Sequence, residues 1–566
     1  MGFSGRKVAL LCVDPWTQYQ SFPPFNYPVR RVQASLMAAG IEGAEIHLVE
    51  TRDTDADALM ARLEAIDPDV VGASAYVWSF ATFVEVAERL KRRRPDVTVI
   101  FGGPSARPAM FALEPYRERR HACDALVLGE GEQIFSRIVE LATRDEAGLS
   151  TLPGLALPTR DGFRRTGAPI SIVDLDALPS AYRSGLVPRG VSAHIETFRG
   201  CPLSCAFCQW GDSGGNSRIF SREYLVRELE AMRDLGLGEA LIVDAALNLN
   251  PRAFRNLAAA EREVGYLREA GLSFEVYPSH LSDEHLEFLS QVRLQTIGIG
   301  LQSYDRDVLR QMQRPFDEER FDRVVRQLAA LPGADPRIEI ILGLPGDTPE
   351  SFERTLERAR ELPCGVRVFH CLVLPDALMT RAPPGVDMVF DPVTLYMKSC
   401  AGWSEKALRE TGERLTAMCE DAGGQLEGGV FWSFPRTKNR AVERPPSPPP
   451  QPLPRVSSQA EVLAAPLVAR VSAFVATATA GRWTVSGISR ENGFVAIETS
   501  TPEGPRYIEL SAAEPGVEAY RIIGRVSVRY RPTGMPPTRD FLGVLDHLLP
   551  RAGPMFASLV YGSRAG

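Results

Sequence analysis

At 566 residues the chain exceeds the roughly 250–300 residues at which single hydrophobic cores stop growing, so several domains are expected. Its 44% hydrophobic and 24% charged residues are those of an ordinary globular protein and exclude a disordered or collagen-like chain. With 64 basic against 71 acidic residues the net charge is −7, which argues against a nucleic-acid backbone as the main partner, and no stretch approaches the ~20 apolar residues of a membrane span.

The N-terminal MGFSGRKVALLCVDPW has a short apolar part that runs into Asp14 and Pro15, so it reads as a first strand and not as a signal peptide. A cytoplasmic location with nine reduced cysteines is the expectation. From residue 7 short β-branched runs alternate with helical stretches: KVALLCV, 28–39, AEIHLVE, 54–65, DVVGASA, 79–94, VTVIFGG, DALVLGE and 131–143. The basic run Lys91 to Arg94 closes one of these helices, where cations complement the helix C-terminus. This βαβα order predicts a Rossmann-like, doubly wound parallel sheet over 1–145. Ligands of such sheets lie beyond the carboxyl ends of the strands. Ser74, Tyr76, Trp78 and Ser79 fall there after the third strand, Gly102, Gly103 and Pro104 after the fourth, and Gly129, Glu130, Gly131 and Glu132 after the fifth.

Residues 146–190 lack sustained periodicity and read as a linker. A second alternation over 191–375 supplies six candidate strands, SAHIETF, EALIVDA, LSFEVYP, LQTIGIGLQ, RIEIILG and VRVFHCLVL, which predict a partial (β/α)6 barrel of TIM type. Residues 376–444 are expected to cap it, with Tyr396, Cys400, Trp403, Trp432 and Phe434 either near a substrate or packing the cap. Pro445 to Pro454 form an extended spacer within a 445–455 linker, and 456–566 read as a small α+β domain with helices near 459–480 and 537–549.

The first barrel strand runs into ETFRGCPLSCAFCQWG, Glu196 to Gly211, where Cys201, Cys205 and Cys208 are spaced C-x3-C-x2-C. Cubanes built for electron transfer are held by four cysteines, so a three-thiolate loop points to a cluster with one iron open to a substrate. A structural zinc would need a fourth ligand, and no Cys or His follows at zinc-ribbon spacing. His194, His280 and His370 lie on or beside barrel strands, where a lone histidine reads as a hydrogen-bonded structural residue or as a catalyst; Glu196 and Glu339 place carboxylates near the barrel interior, where burial demands partners.

With Phe207 just before its last cysteine, the loop resembles the signature of the radical S-adenosylmethionine (SAM) superfamily. Placed after a Rossmann-like domain, it resembles the cobalamin-dependent radical SAM family, whose N-terminal domain binds cobalamin. The resemblance implies a 4Fe–4S cluster on Cys201, Cys205 and Cys208, and SAM contacts from Phe207, Arg199, Asp244, Asn248, Gln302, Ser303 and Leu342. Asp244 and Asn248 stand where many members carry G-G-E-P. It assigns the eleven strand-end residues of the first domain named above to cobalamin. The loop Asp14 to Gln20 lacks the histidine of the D-x-H-x-x-G motif, so no protein histidine is expected on cobalt; Tyr76 to Phe80 face its lower side or pack the core. The implied activity is methyl transfer from SAM through methylcobalamin to a carbon or phosphorus centre of a natural product or peptide, fed by a donor such as flavodoxin or ferredoxin. A non-methylating rearrangement or cyclisation, or a cobalamin- or cluster-binding sensor, is the alternative.

Overall fold

The structure, a computed structural model, describes residues 6–14, 25–41, 44–51, 54–188, 190–212 and 217–436, residue 472, and strands between 461 and 523. The chain divides into two compact units, one of residues 1–15 and 24–440, the other of 16–23 and 441–566. Among the described residues no helix is long and apolar enough to cross a membrane.

In the larger unit, strands β1 (Arg6–Val13), β2 (Ala44–Thr51), β3 (Val70–Ser74), β4 (Thr98–Gly102) and β5 (Ala125–Val127) run parallel in the order β2-β1-β3-β4-β5. Val8 sits opposite Ile46 on one side and Val70 on the other. Such a sheet must be covered on both faces, and β1 accordingly reads as an unbroken apolar run with no alternation. Helices α1 (Tyr27–Ala39), α2 (Ala56–Ile66), α3 (Val77–Arg93), α4 (Pro108–Phe111) and α5 (Gly131–Glu140) supply the cover. Leu59, Phe80 and Phe83 pack with Leu11 and Phe101 in one core, while Val29, Leu36, Phe135 and Ile138 pack with Leu10 and Ile100 in another. Phe80, fully buried against the edges of Phe111 and Tyr116, is therefore core and does not face a ligand.

The expected linker is structured. A hairpin of β6 (Leu155–Thr159) and β7 (Gly162–Arg165) continues the first sheet antiparallel to β5. Its two-residue turn, Arg160-Asp161, leads into Gly162 opposite Thr159, and the brevity of both strands concealed the hairpin in the sequence.

The second sheet places β8 (Ala193–Ile195), β11 (Glu239–Ile242), β12 (Gly271–Val276), β13 (Leu294–Gln302), β14 (Asp335–Leu342) and β15 (Gly365–His370) side by side and parallel, giving the six expected barrel strands. A small ribbon, β9 (Phe198–Arg199) against β10 (Arg218–Ile219), lies between β8 and β11 in the chain, and a second, β16 (Val389–Phe390) against β17 (Met397–Ser399), follows β15. Part of the expected cap instead extends the sheet: β19 (Phe431–Phe434) pairs antiparallel with β15 and with β18 (Gln425–Glu427), leaving β8 and β18 as the edges. Trp432 and Phe434 are thereby buried, Trp403 packs edge-on to Phe352, and Cys400 is buried with them, so the packing reading holds for these four. Tyr396 meets the His370 ring edge-on, and that imidazole Nε2 lies 2.7 Å from the Met397 carbonyl, to which it donates.

Along β14 fully buried Ile338, Ile340 and Leu342 alternate with partly exposed Arg337, Glu339 and Ile341. Strand alternation puts these two sets on opposite faces, the first in one core with Phe352, Leu356 and Ala359 of helix Pro349–Glu361. Leu342, expected beside SAM, thus points into the helix layer, and only its backbone is available to a ligand.

The smaller unit contains a meander of β20 (Glu461–Val462), β21 (Thr484–Glu491), β22 (Phe494–Thr501), β23 (Gly504–Ser511) and β24 (Tyr520–Ile523), antiparallel throughout. The strand at 461–462 replaces the expected start of a helix; the Pro-rich spacer and the expected helix at 537–549 lie outside the described residues.

Candidate active site at the cysteine loop

The cysteine loop begins where β8 ends, and Asp244 after β11 fixes that start. Its Oδ1 accepts the N–H groups of Thr197 (2.8 Å) and Phe198 (3.3 Å), and its Oδ2 accepts the Thr197 hydroxyl (2.5 Å). Burial pushes the Asp244 pKa up to about 7 against the pull of these hydrogen bonds. Asn248 binds both backbone groups of Tyr277, donating to its carbonyl (2.8 Å) and accepting its N–H (2.9 Å). The D-x-x-x-N pair, expected on SAM, spends these polar atoms on joining the ends of β8, β11 and β12.

Ribbon β9–β10 flanks the loop on both sides. Cys201 and Cys205 are buried and Cys208 partly so. Burial first, and then the neighbouring thiols, raise the Cys201 and Cys208 pKa values, while Arg314 opposes the rise. Among the described residues no three His, Cys, Asp or Glu side chains converge on a single ion position. Phe207 packs against the barrel core. The loop is fastened by the Ala206 N–H to the Met312 carbonyl (2.9 Å) and by Arg314, whose Nη1 lies 3.9 Å from the Cys205 sulfur. Gln209 Nε2, directly after the last cysteine, donates to the carbonyls of Pro104 (3.0 Å) and Pro375 (2.9 Å). This contact joins the cysteine loop to the loop after β4 in the first sheet.

Arg199, expected to touch SAM, instead crosses to the Rossmann-like domain. Its guanidinium meets Glu196 (2.8 Å), Glu130 (2.9 Å) and Glu132, and Arg218 of β10 adds a contact to Glu130 (2.7 Å). Burial disfavours a charged Glu130, yet hydrogen bonds from Arg218, the Ile172 N–H and Arg199 outweigh it and hold its pKa below the usual carboxylate range. A Cβ on Gly129 would come within 2.8 Å of Pro169 Cβ, whereas one on Gly131 would meet only Val32, at 3.6 Å. Glu130 and Glu132, expected on cobalamin, therefore dock the two sheets, and Gly129 accommodates the 166–172 segment.

At the end of β3 the rings of Tyr76 and Trp78 stack at 4.6 Å and 9°, with the indole N–H donating to the Val13 carbonyl (2.8 Å). Burial, then Cys12 and Asp14, push the Tyr76 hydroxyl pKa up to about 12. Ser79 is fully buried and caps α3 by accepting the Tyr76 N–H at 3.0 Å; Ser74 lies partly exposed at the strand end. Gly103, at φ +89°, passes so close to Ala75 that a Cβ would sit 2.8 Å from its carbonyl oxygen, so packing requires glycine there. A Cβ on Gly102 would meet nothing within 4 Å, so this glycine borders open space.

Across the barrel interior, Gln302 ends β13 at φ 69° with its buried Oε1 unpaired. Ser303 accepts the Asp305 N–H (3.0 Å) and serves the turn, and Gly300 lies against Gln302 and Arg314. Glu275 on β12 and Glu339 on β14 are raised by burial, Glu275 also by Glu339, while Arg367 and Arg314 pull both down. Gln209 and Arg314 carry no sequence signal of their own, because each acts on a loop remote in the chain. His194 is held low, to about 4, by burial between Phe25 and Tyr27, and His280 lies edge-on to Tyr277 with its pKa lowered by burial. Neither is placed as an acid or base.

The radical SAM superfamily model matches residues 195–359, and the B12 binding domain model matches 25–139. The chain is 30% identical over 337 residues to the 2-(S-pantetheinyl)-carbapenam-3-carboxylate methyltransferase of Streptantibioticus cattleyicolor. It is 30% identical over 338 residues to the cobalamin-dependent radical SAM methyltransferase TokK of Streptomyces tokunonensis. Each alignment covers 55% of this chain and 48% of the relative, so the chain spans about half the length of the curated relatives it matches. The solved structure of TsrM from Kitasatospora setae, a radical SAM methyltransferase with tryptophan and a SAM analogue, is similar at a TM-score of 0.55 and 19% identity, covering 73% of this chain and 89% of that one. OxsB with aqua-cobalamin and SAM is similar at 0.53 and 14%, covering 74% and 67%. At these identities the likeness is one of fold.

Residues 195–359 thus form a radical SAM domain, and residues 25–139, ahead of it in the chain, a B12-binding domain. These domains imply a 4Fe–4S cluster, SAM and cobalamin, and the residues present fit all three. Three cysteines on one loop match a cubane with an open iron, the buried Gln302 oxygen has no hydrogen-bond partner within the protein, and the space beside Gly102 lies at the carboxyl end of the first sheet.

Proposed function

We propose that the protein is a cobalamin-dependent radical SAM methyltransferase that moves a methyl group from SAM through methylcobalamin to a carbon or phosphorus centre of a small natural product or peptide. The observation that carries this reading is Gln209, which ties the cysteine loop directly to the strand-end loop of the B12-binding domain at Pro104. The cluster side and the corrinoid side thus adjoin within one compact unit.

When bound, the cluster supplies one-electron reduction, SAM the methyl group and cobalamin its carriage. Cys201, Cys205 and Cys208 would hold the cluster, Gln302 would orient SAM through its free oxygen, and the Gly102 edge with the Tyr76–Trp78 stack would seat the corrinoid. Asp244 and Asn248 keep the loop start rigid, and burial around Cys201 and Cys205 excludes water. An external flavodoxin or ferredoxin would deliver electrons. The similar carbapenam-3-carboxylate methyltransferase favours a small-molecule substrate.

Anaerobic reconstitution followed by assay of SAM products tests the proposal. S-adenosylhomocysteine with 5′-deoxyadenosine is expected; the former alone would mean polar transfer, and neither product would favour the sensor reading.

A further inference from the structure

Two guanidinium groups hold the cysteine loop without a direct ion pair to a carboxylate, although Glu275 and Glu339 lie near enough to feel the charge of Arg314. Arg381 lies in the strap after Pro375. Its Nε donates to the Asp376 carbonyl (2.9 Å), Nη1 to the Ser204 carbonyl (3.3 Å), and Nη2 to the carbonyls of Cys205 (3.2 Å) and Cys208 (2.6 Å). Arg314 comes from the opposite side. Its Nη1 approaches the Cys205 sulfur at 3.9 Å, its Nη2 donates to the Gly300 carbonyl, and its charge lies 5.1 Å from the centre of the Tyr277 ring. Among the described residues neither arginine has a carboxylate within ion-pair distance; the Asp376 side chain is occupied by Arg107.

A partly buried cation such as Arg381, held by carbonyls and not by a carboxylate, is costly unless an anion belongs beside it. A cubane on thiolates is such an anion, and reduction adds a further negative charge to it. Fixed positive charge and hydrogen-bond donors around a cluster favour the reduced state. The strap also reaches the corrinoid side, because Arg107 contacts both Asp376 and the Gly103 carbonyl (3.1 Å) while Gln209 bridges Pro104 and Pro375.

We propose that Arg381 and Arg314 form a cationic clamp that positions the cysteine loop and raises the reduction potential of the cluster it holds. The clamp rests on the reading of this loop as a radical SAM cluster site. Both arginines are positioning residues, since they act through the ligands.

The test is a redox titration of the anaerobically reconstituted full chain, followed by electron paramagnetic resonance, with iron counted in each variant. R381Q is expected to keep its iron while its midpoint moves to more negative potential, and R381K, which retains the charge and loses the planar fork, is expected to stay near the parent. R314Q is expected to move the same way, and the double variant further. R255Q, which breaks an exposed ion pair with Glu284 remote in sequence from the cysteine loop, is expected to leave the midpoint unmoved. Parental midpoints in fully loaded R381Q and R314Q, or an equal shift in R255Q, overturn the clamp. Should R381Q take up no iron, R381K decides: a loaded cluster at the parental midpoint supports the clamp, and an unloaded or shifted one overturns it. A parent that holds no cubane refutes the site reading itself, which is distinct from a parental cluster that the variants fail to move.

Discussion

Asp244 sits buried beneath the first turn of the cysteine loop, with its pKa pushed up to about 7. Its folded pKa lies above the unfolded value, so the folded state binds the extra proton between about pH 4 and 7. Stability from this group is therefore present at the acid end of that window and is lost as pH rises, by up to ~1.4 kcal/mol per unit. Unfolding midpoints of the parent are expected to fall from pH 5 to 7 more steeply than those of D244N, measured in urea. At Gly103 an alanine would need both φ +89° and room against Ala75, and G103A is expected to lose ~1–3 kcal/mol and weaken corrinoid binding, read by denaturation and by absorbance. At the cysteines themselves, C205A is expected to abolish cluster incorporation, read as iron per chain. The cysteine motif with Phe207 was legible in the sequence as a pattern, because its spacing lies within one loop. The partners that fasten the loop were not, because Arg314 and Arg381 stand more than 100 residues away in the chain.

Among the elements, the G-E-G-E stretch after β5 shows how a motif acquires a different task in context. Glu130 and Glu132 meet Arg199 and Arg218 on ribbon β9–β10, so the loop joins the B12-binding domain to the barrel. Removing Arg199 leaves the partly buried Glu132 and Glu196 without this guanidinium, and Glu130 with Arg218 and the Ile172 N–H alone. R199A is expected to cost about 3–5 kcal/mol and to raise hydrogen exchange in both the 129–132 loop and the ribbon. A role for Arg199 limited to SAM would lower SAM affinity and leave that exchange unchanged. Hairpin β6–β7 carries a related lesson: it covers the edge of β5, which a boundary at residue 145 would expose.

For the whole molecule, each contact assigned to the site lies between residues 12 and 381, within the larger unit. A chain ending after residue 436 is accordingly expected to bind iron and a corrinoid as the full chain does, whereas a fragment stopped near residue 150 lacks β6 and β7 and is expected to aggregate or bind the corrinoid weakly; absorbance of the bound corrinoid distinguishes the two. The domain order, the parallel character of both sheets, the six barrel strands and the C-x3-C-x2-C loop were readable from the residues alone. Those features follow from local periodicity and short spacing, which a chain carries wherever its segments come to lie. It took the folded chain to show that Arg199, Glu130 and Glu132 dock domains, that Leu342 faces the helices, that residues 431–434 extend the barrel sheet, and that Arg314 and Arg381 grip the cysteine loop. Each of these depends on which distant segment becomes a neighbour, and charge pairing and burial are properties of neighbours in space.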